Sequence, residues 1–187
     1  AKILGLDRGG ICNAFGAALA QCGGTQQAAI EQTMMKRTQS ALAARDAVFS
    51  AQLAKYGTTA PRQAFEGKCG FYAMYESGDA AVVADALGER HEVLSITLKK
   101  FPSCGCNHAP IEAVLQIMTE NRLTAADIAS AETSISPYMA RLVGAPYDPS
   151  GNALVAAQFS VQYSVASAIM RGRLGLAELE TEAAREP

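Results

Sequence analysis

Helical apolar stripes, divided by capping residues and glycines, run through the first ninety residues and constrain the fold more than any other feature. Asp7 can cap a first helix, and the pair Gly23 and Gly24 can end it. Thr25 can cap a second helix, and Gly57 stands where a third should end. We therefore expect helices between 8 and 22, at 25–37 and at 41–56, with shorter ones at 59–67, 70–75 and 79–87.

The pattern changes near residue 90, where a strand-like run at 93–98 is followed by Pro102. After it we expect a helix from 107 to about 118, a β-tolerant stretch at 128–135, a loop at 137–149 and a helix at 152–170. This order predicts a chain that is mainly α with an α+β part. We place residues 1–90 in a portion of a helical domain and residues 91–187 in a small α+β domain with a C-terminal helix.

The composition excludes several classes of protein. Hydrophobic residues make up 49% of the chain and charged residues 18%, which is enough apolar material for a packed core. The net charge is −2 and the 16 basic residues form no block, so no nucleic-acid surface is indicated. The apolar stretches are too short and too interrupted by polar residues to cross a membrane.

The five cysteines, an odd number, favour free thiols over a disulfide framework. Three of them lie in apolar, helix-like contexts, which suits a reducing compartment, so we expect a cytoplasmic protein. The chain opens on Ala1 and becomes helical almost at once. This start looks internal, as though upstream sequence had been removed or lay on another chain.

Two pairs of basic residues are candidate anion-binding groups. Lys36 and Arg37 end the second predicted helix, where positive charge is favourable in any case. They could instead clamp a carboxylate, which arginine can bind through two parallel hydrogen bonds. Lys99 and Lys100 lie at the predicted domain junction, a common place for ligands, although lysines also protect sheet edges from pairing.

Cys104, Cys106 and His108 lie within five residues of one another and could supply three zinc ligands. No second cluster accompanies them, and His91 is the only other histidine. Redox chemistry of the two thiols is a further alternative. We favour Cys104 as a loop residue that faces a cleft and His108 as part of the first turn of the next helix, with no metal bound.

Five segments in one order resemble a known family. They are TMMKR (33–37), AAR (43–45), FEGKCGFYAMY (65–75), KKFPSC (99–104) with His108 and IEA (111–113), and AQFSVQYSVA (157–166). Over nearly its whole length the chain is similar to the MmgE/PrpD family, which includes 2-methylcitrate dehydratase, cis-aconitate decarboxylase and iminodisuccinate epimerase. The resemblance implies a helical domain, a smaller α+β lid and an active site in the cleft between them.

The resemblance also implies the roles of individual residues. Lys36 and Lys99 correspond to catalytic lysines of the family. The implied substrate-binding residues are Arg37, Lys100, Cys104, His108 and Tyr138. Enzymes of this family remove a proton next to a carboxylate and then expel water or carbon dioxide, so fixed cations in a closed cleft would stabilise the charge that develops. The resemblance implies no metal and no organic cofactor.

The sequence also departs from the family pattern. Family members are much longer, and this chain covers only the middle portion of their usual length. The motifs with histidine and aspartate that supply the acid and base, and the C-terminal helices, are absent from it. Thr38, Gln39 and Ser40 stand where the family usually has His-Pro-Gly.

We therefore expect a lyase or hydratase component for a citrate- or aconitate-like acid, acting as a homo- or hetero-oligomer. A second polypeptide or missing segments would complete its helical domain. The alternatives are an epimerase of a related dicarboxylate, a non-catalytic subunit or fragment that serves assembly or regulation, and a small metal-binding protein that uses Cys104, Cys106 and His108.

Overall fold

The computed structural model describes residues 1–31, 33–75 and 77–186, and its regular structure is almost entirely helical. The α-helices of this described part are α1 Arg8–Leu19, α2 Gln27–Ile30, α3 Met35–Lys55, α4 Phe71–Met74, α5 Ala80–Ala84, α6 His108–Asn121, α7 Pro137–Val143, α8 Ala153–Gln158, α9 Val161–Arg171 and α10 Thr181–Arg185. The prediction of a mainly α chain is confirmed. None of the helices in these ranges is long and apolar enough to cross a membrane.

Helix α1 begins and packs as its local sequence indicates. The side chain of Asp7 accepts a hydrogen bond from the Gly10 N–H at 2.8 Å, which satisfies one of the free N–H groups at the helix start. Gly16 allows α1 to approach the backbone of the 60–61 segment closely. A Cβ at Gly16 would lie 2.4 Å from the carbonyl oxygen of Pro61, so only glycine fits there.

The predicted break between the second and third helices is wrong. α2 is short, and α3 runs without interruption through residues 38–40. The Ser40 hydroxyl donates to the Arg37 carbonyl at 3.1 Å, so this polar side chain is accommodated within the helix instead of ending it. Lys36 and Arg37 consequently lie in the first turn of α3, where the helix dipole disfavours positive charge, and not at a helix C-terminus.

The strand predicted at residues 93–98 is not formed. Glu92–Ser95 is a 3-10 turn, and the Leu94 and Leu98 side chains are 83% and 90% exposed. Within the described ranges the one β-type contact is an isolated bridge between Leu87 and Arg90. Strand pairing needs a partner segment, and none of the residues that the structure describes forms a ladder with 93–98, so the α+β character expected after residue 90 is not observed in them.

The helix predicted at 152–170 is two helices, α8 and α9. Phe159 and Ser160 separate them, and the Ser160 hydroxyl accepts a hydrogen bond from the Tyr163 N–H at 3.1 Å, which makes it the cap of α9. Gly172, with φ of 65°, ends α9 as predicted. Two further expectations fail: turns replace the helix at 59–67, and the predicted loop at Pro137 begins helix α7.

The chain divides into two compact units. Unit 1 comprises Ala1–Thr25 and Arg37–Ile96, and unit 2 comprises Gln26–Lys36 and the chain from Thr97 onward. Unit 2 contains the larger apolar core, which includes Phe101, Ile111, Ala157, Tyr163, Leu174 and Leu179, and a second cluster of Val143, Val161 and Val165. The predicted boundary near residue 90 stays a prediction.

Candidate functional site

In unit 2, residues 101–107 form a loop that is fixed to the junction between α8 and α9. The Gln158 carbonyl accepts hydrogen bonds from the Cys104 N–H at 2.9 Å, the Ser103 hydroxyl at 3.0 Å and the Asn107 amide at 3.3 Å. In return, the Gln158 side-chain amide donates to the Pro102 carbonyl at 3.0 Å. These bonds hold the 101–107 loop in a single position beside Phe159.

Asn107 is the centre of this network. It is fully buried, and its side-chain amide also donates to the Ser103 hydroxyl at 2.8 Å and to the Ser160 carbonyl at 3.4 Å. Asn107 directly precedes α6, but its side chain makes no capping hydrogen bond, and its amide is directed to the loop. Asn107 therefore organises the loop and the helix junction.

Lys36 lies next to this junction. Its side-chain nitrogen Nζ is 3.9 Å from the centroid of the Phe159 ring, close enough for a cation–π interaction. Lys36 is half-buried, and no carboxylate of the described residues pairs with it. The aromatic ring positions the ammonium group without neutralising it, so the charge remains available to an anion.

Cys104 and Cys106 complete the surroundings of Lys36. Both thiols are free and half-buried, and both pack against the valine cluster of unit 2. Burial raises the pKa of the Cys106 thiol, the adjacent Cys104 raises it further, and the Lys36 ammonium acts in the opposite direction. The structure thus brings together Lys36, Phe159, Cys104 and Cys106.

His108 is the first residue of α6, as predicted. Its ring packs edge-on against Phe101, with 5.4 Å between the ring centroids. The imidazole Nε2 is buried, and none of the residues in the described ranges hydrogen-bonds to it. Burying a polar nitrogen without a hydrogen-bond partner costs free energy. A ligand that forms a hydrogen bond with Nε2 would remove this cost.

The other predicted site residues are placed less directly. The Lys99 Nζ donates to the Ser103 carbonyl at 2.9 Å, which ties this lysine to the 101–107 loop. The Lys100 Nζ forms an ion pair with Glu112 at 2.6 Å. Arg37 is exposed in unit 1, and Tyr138 lies on α7 with 61% of its surface exposed. The roles of all seven predicted site residues stay predictions.

Comparisons with known proteins identify the family. The model of the MmgE/PrpD N-terminal domain matches residues 1–83, and that of the MmgE/PrpD C-terminal domain matches residues 101–187. The chain belongs to the MmgE/PrpD family. It is also 34% identical over 121 residues to the cis-aconitate decarboxylase-like protein oryM of Aspergillus oryzae. That match covers 60% of this MmgE/PrpD chain and 25% of its relative, so the chain spans about a quarter of the relative's length.

Sequence reasoning missed Phe159 as a site residue in this MmgE/PrpD chain. The ring reaches Lys36 because the chain leaves the helix between Gln158 and Ser160. The available signal was Ser160 itself, a residue type that favours helix N-caps inside an otherwise continuous helical pattern.

The metal alternative receives no geometric support. In the parts of the chain that the structure describes, no group of three or more His, Cys, Asp or Glu side chains is arranged to hold a metal ion. Cys104 and Cys106 are instead packed against apolar residues.

Proposed function

We propose that this chain is a component of a lyase, a dehydratase or decarboxylase, that acts on a small citrate- or aconitate-like polycarboxylate. The observation that carries the proposal is the Lys36 ammonium group, which lies 3.9 Å from the Phe159 ring centroid beside a fixed loop. Family membership supports lyase chemistry, and the name of the Aspergillus oryzae relative supports an acid of the aconitate type.

Such a cation is what the chemistry requires. The proton next to a carboxylate is very weakly acidic, because its removal adds negative charge to a group that is already an anion. A positive group fixed near the carboxylate oxygens, in surroundings that contain little water, stabilises this charge without having to reorganise. Lys36 is placed in advance by Phe159, and Lys99 is tied to the loop through the Ser103 carbonyl.

The family resemblance supports the remaining roles in this proposal. Lys36 and Lys99 stabilise the developing charge. The substrate-binding residues are Arg37, Lys100, Cys104, His108 and Tyr138. The Nε2 atom of His108, which has no partner among the described residues, forms a hydrogen bond with a substrate oxygen.

The chain works as part of a larger assembly. A general base and a general acid come from a second polypeptide or from further segments of the same protein, in a homo- or hetero-oligomer. These segments also cover exposed apolar side chains of unit 1, such as Phe15, Val48 and Tyr56. Residues 91–187 serve as the lid domain, and the protein acts in the cytoplasm, where free thiols persist.

Turnover of the assembled protein tests the proposal. Lys36→Ala should lower kcat/KM for the preferred tricarboxylate by about a hundredfold or more, and Lys99→Ala should lower it in the same direction. Lys55→Ala removes the same charge at the other end of α3 and serves as the matched control, with unchanged turnover. Full activity in both the Lys36 and Lys99 variants would show that the cation assignment is wrong. An active monomer of this chain alone would contradict the requirement for further segments.

A further inference from the structure

The segment from Cys104 to Cys106 carries two thiols. The lyase reaction proposed above includes no chemical step at either sulfur atom. Both thiols pack against the cluster of Val143 and its neighbours in unit 2. The neighbouring Cys104 thiol also raises the pKa of the Cys106 thiol. Two thiols that are separated by one residue and that share one apolar surface are candidates for a bonded pair.

The backbone keeps these thiols together. The Cys104 N–H is bonded to the Gln158 carbonyl at 2.9 Å, and the Cys104 carbonyl accepts from the Asn107 N–H at 2.9 Å. Both ends of the short segment are thus fixed to the fully buried Asn107 and to the helix junction. The pair does not depend on a chance encounter of two mobile loops.

Gly105 supplies the freedom that bond formation requires. It is exposed, and a Cβ at this position would meet no atom within 4 Å. Gly105 begins the short 3-10 helix Gly105–Asn107, and a glycine in open space lets the backbone adjust as the sulfur atoms approach the separation of about 2.05 Å that a disulfide bond requires.

We propose that Cys104 and Cys106 form a reversible disulfide when the protein meets a small disulfide oxidant such as oxidised glutathione. This makes the 101–107 loop a redox-modification site. The inference depends on the two thiols and their loop, and it does not depend on the reaction proposed above.

The reaction balances as two thiol–disulfide exchanges. One cysteine thiolate attacks a sulfur atom of oxidised glutathione, which forms a mixed disulfide and releases one glutathione thiolate. The second cysteine thiolate then attacks the protein sulfur of the mixed disulfide, which forms the bond between Cys104 and Cys106 and releases the second glutathione. Two electrons pass from the protein sulfurs to glutathione, and the two thiol protons end on the released glutathione thiolates.

The surroundings of the pair predict how fast it reacts. Burial raises the pKa of Cys106, Cys104 raises it further, and Lys36 is the charged group that opposes this rise. A raised pKa reduces the thiolate fraction at neutral pH, so the bond should form faster under mildly alkaline conditions. The exposed thiols of Cys22 and Cys69, in unit 1, provide an internal reference for oxidant access.

Mass spectrometry of the oxidised full chain tests this inference. The protein is incubated with oxidised glutathione, the remaining thiols are alkylated, and the chain is digested with trypsin. The fragment 101–122 contains Cys104 and Cys106 and no other cysteine. We expect this fragment to lose the mass of two hydrogen atoms, to escape alkylation and to regain both thiols after reduction with dithiothreitol.

Two variants give the test its controls. Cys106→Ser should convert Cys104 into a stable adduct with one glutathione, because no second thiol is present to displace it. Cys22→Ser should leave the internal bond in fragment 101–122 unchanged. The inference is overturned if both cysteines remain alkylatable while Cys22 is oxidised. It is equally overturned if each cysteine keeps its own glutathione, or if either of them is found bonded to a cysteine of unit 1.

Discussion

The two units of the chain differ most clearly in what they bury. In unit 2, Ile111 and Val143 are completely shielded and Val155 is 1% exposed. Among the described side chains of unit 1, the buried apolar ones are all alanines, while Phe15 is 50% and Tyr56 is 85% exposed. Full burial of one large aliphatic side chain stabilises a fold by roughly 1.5–3 kcal/mol, so unit 2 has a core of its own and unit 1 has little.

This difference bears directly on the candidate site. Lys36, Phe159 and the 101–107 loop all belong to unit 2, the unit with the larger core. Groups that stabilise developing charge must be held in place before the reaction, and a packed core together with buried hydrogen bonds does this. Unit 1 instead leaves large apolar side chains such as Phe15 and Tyr56 exposed.

The largest expected effect on the free energy of unfolding comes from a substitution that creates a cavity in the core of unit 2. Ile111→Ala should lower the free energy of unfolding by about 2–5 kcal/mol, because Ile111 is completely buried on α6. Ile117→Ala on the same helix should cost much less, since Ile117 is 52% exposed. Denaturant unfolding followed by circular dichroism measures both values. Equal losses for the two variants would show that α6 does not border a real core.

A second prediction concerns the packing that unit 1 does have. Gly16→Ala should destabilise this unit by about 1–3 kcal/mol, because the new methyl group would meet the Pro61 carbonyl oxygen at 2.4 Å. Gly9→Ala, also in α1, meets only the Asp7 carboxylate at 3.5 Å and should be neutral or slightly stabilising. Amide hydrogen exchange of α1 would reveal the difference. Unchanged protection in Gly16→Ala would mean that this close approach does not hold unit 1 together.

A smaller, pH-dependent effect is expected at the buried Glu178 of unit 2. Burial raises the pKa of this carboxyl group, but hydrogen bonds from the Gly175 N–H at 2.7 Å and from Arg173 at 2.8 Å outweigh it and hold the pKa below its usual value. A carboxylate with a lowered pKa stabilises the fold above its unfolded-state pKa, and this contribution is lost as the pH falls through the folded-state pKa.

Thermal unfolding between neutral and acidic pH checks this prediction. Glu178→Gln should reduce the loss of Tm that wild-type protein shows on acidification, whereas Glu180→Gln, at an exposed neighbouring position, should not. An identical acid response in wild-type and Glu178→Gln protein would rule out a stabilising role for the ionised carboxylate.

Local signals in the sequence predicted those helix ends that depend on local chemistry. Asp7 caps α1 and Gly172 ends α9 because a side-chain oxygen and a left-handed backbone act within one helical turn. The junction at Phe159 has one local signal, the Ser160 cap, but its position beside the 101–107 loop has none. The Gln158 and Ser160 carbonyl oxygens there accept hydrogen bonds from Ser103 and Asn107, which lie far away in the sequence.

The strand predicted at 93–98 failed for a related reason. The apolar and β-branched residues of this segment suit a β-strand. A strand also needs a neighbouring strand to pair with, which composition does not reveal. For the site, resemblance to the family singled out Lys36, and only the folded chain reveals the Phe159 ring beneath it and the pairing of Lys100 with Glu112.

Equilibrium binding of a tricarboxylate tests the central claim most directly. Citrate or cis-aconitate is titrated calorimetrically into the assembled protein and into its Lys36→Met variant, which keeps an apolar stem against Phe159 but loses the charge. Loss of one charge-assisted contact should weaken binding by about tenfold or more, while Lys55→Met retains wild-type affinity. Unchanged tricarboxylate affinity in a folded Lys36→Met protein would contradict the assignment of Lys36 as the cation that receives the substrate carboxylate.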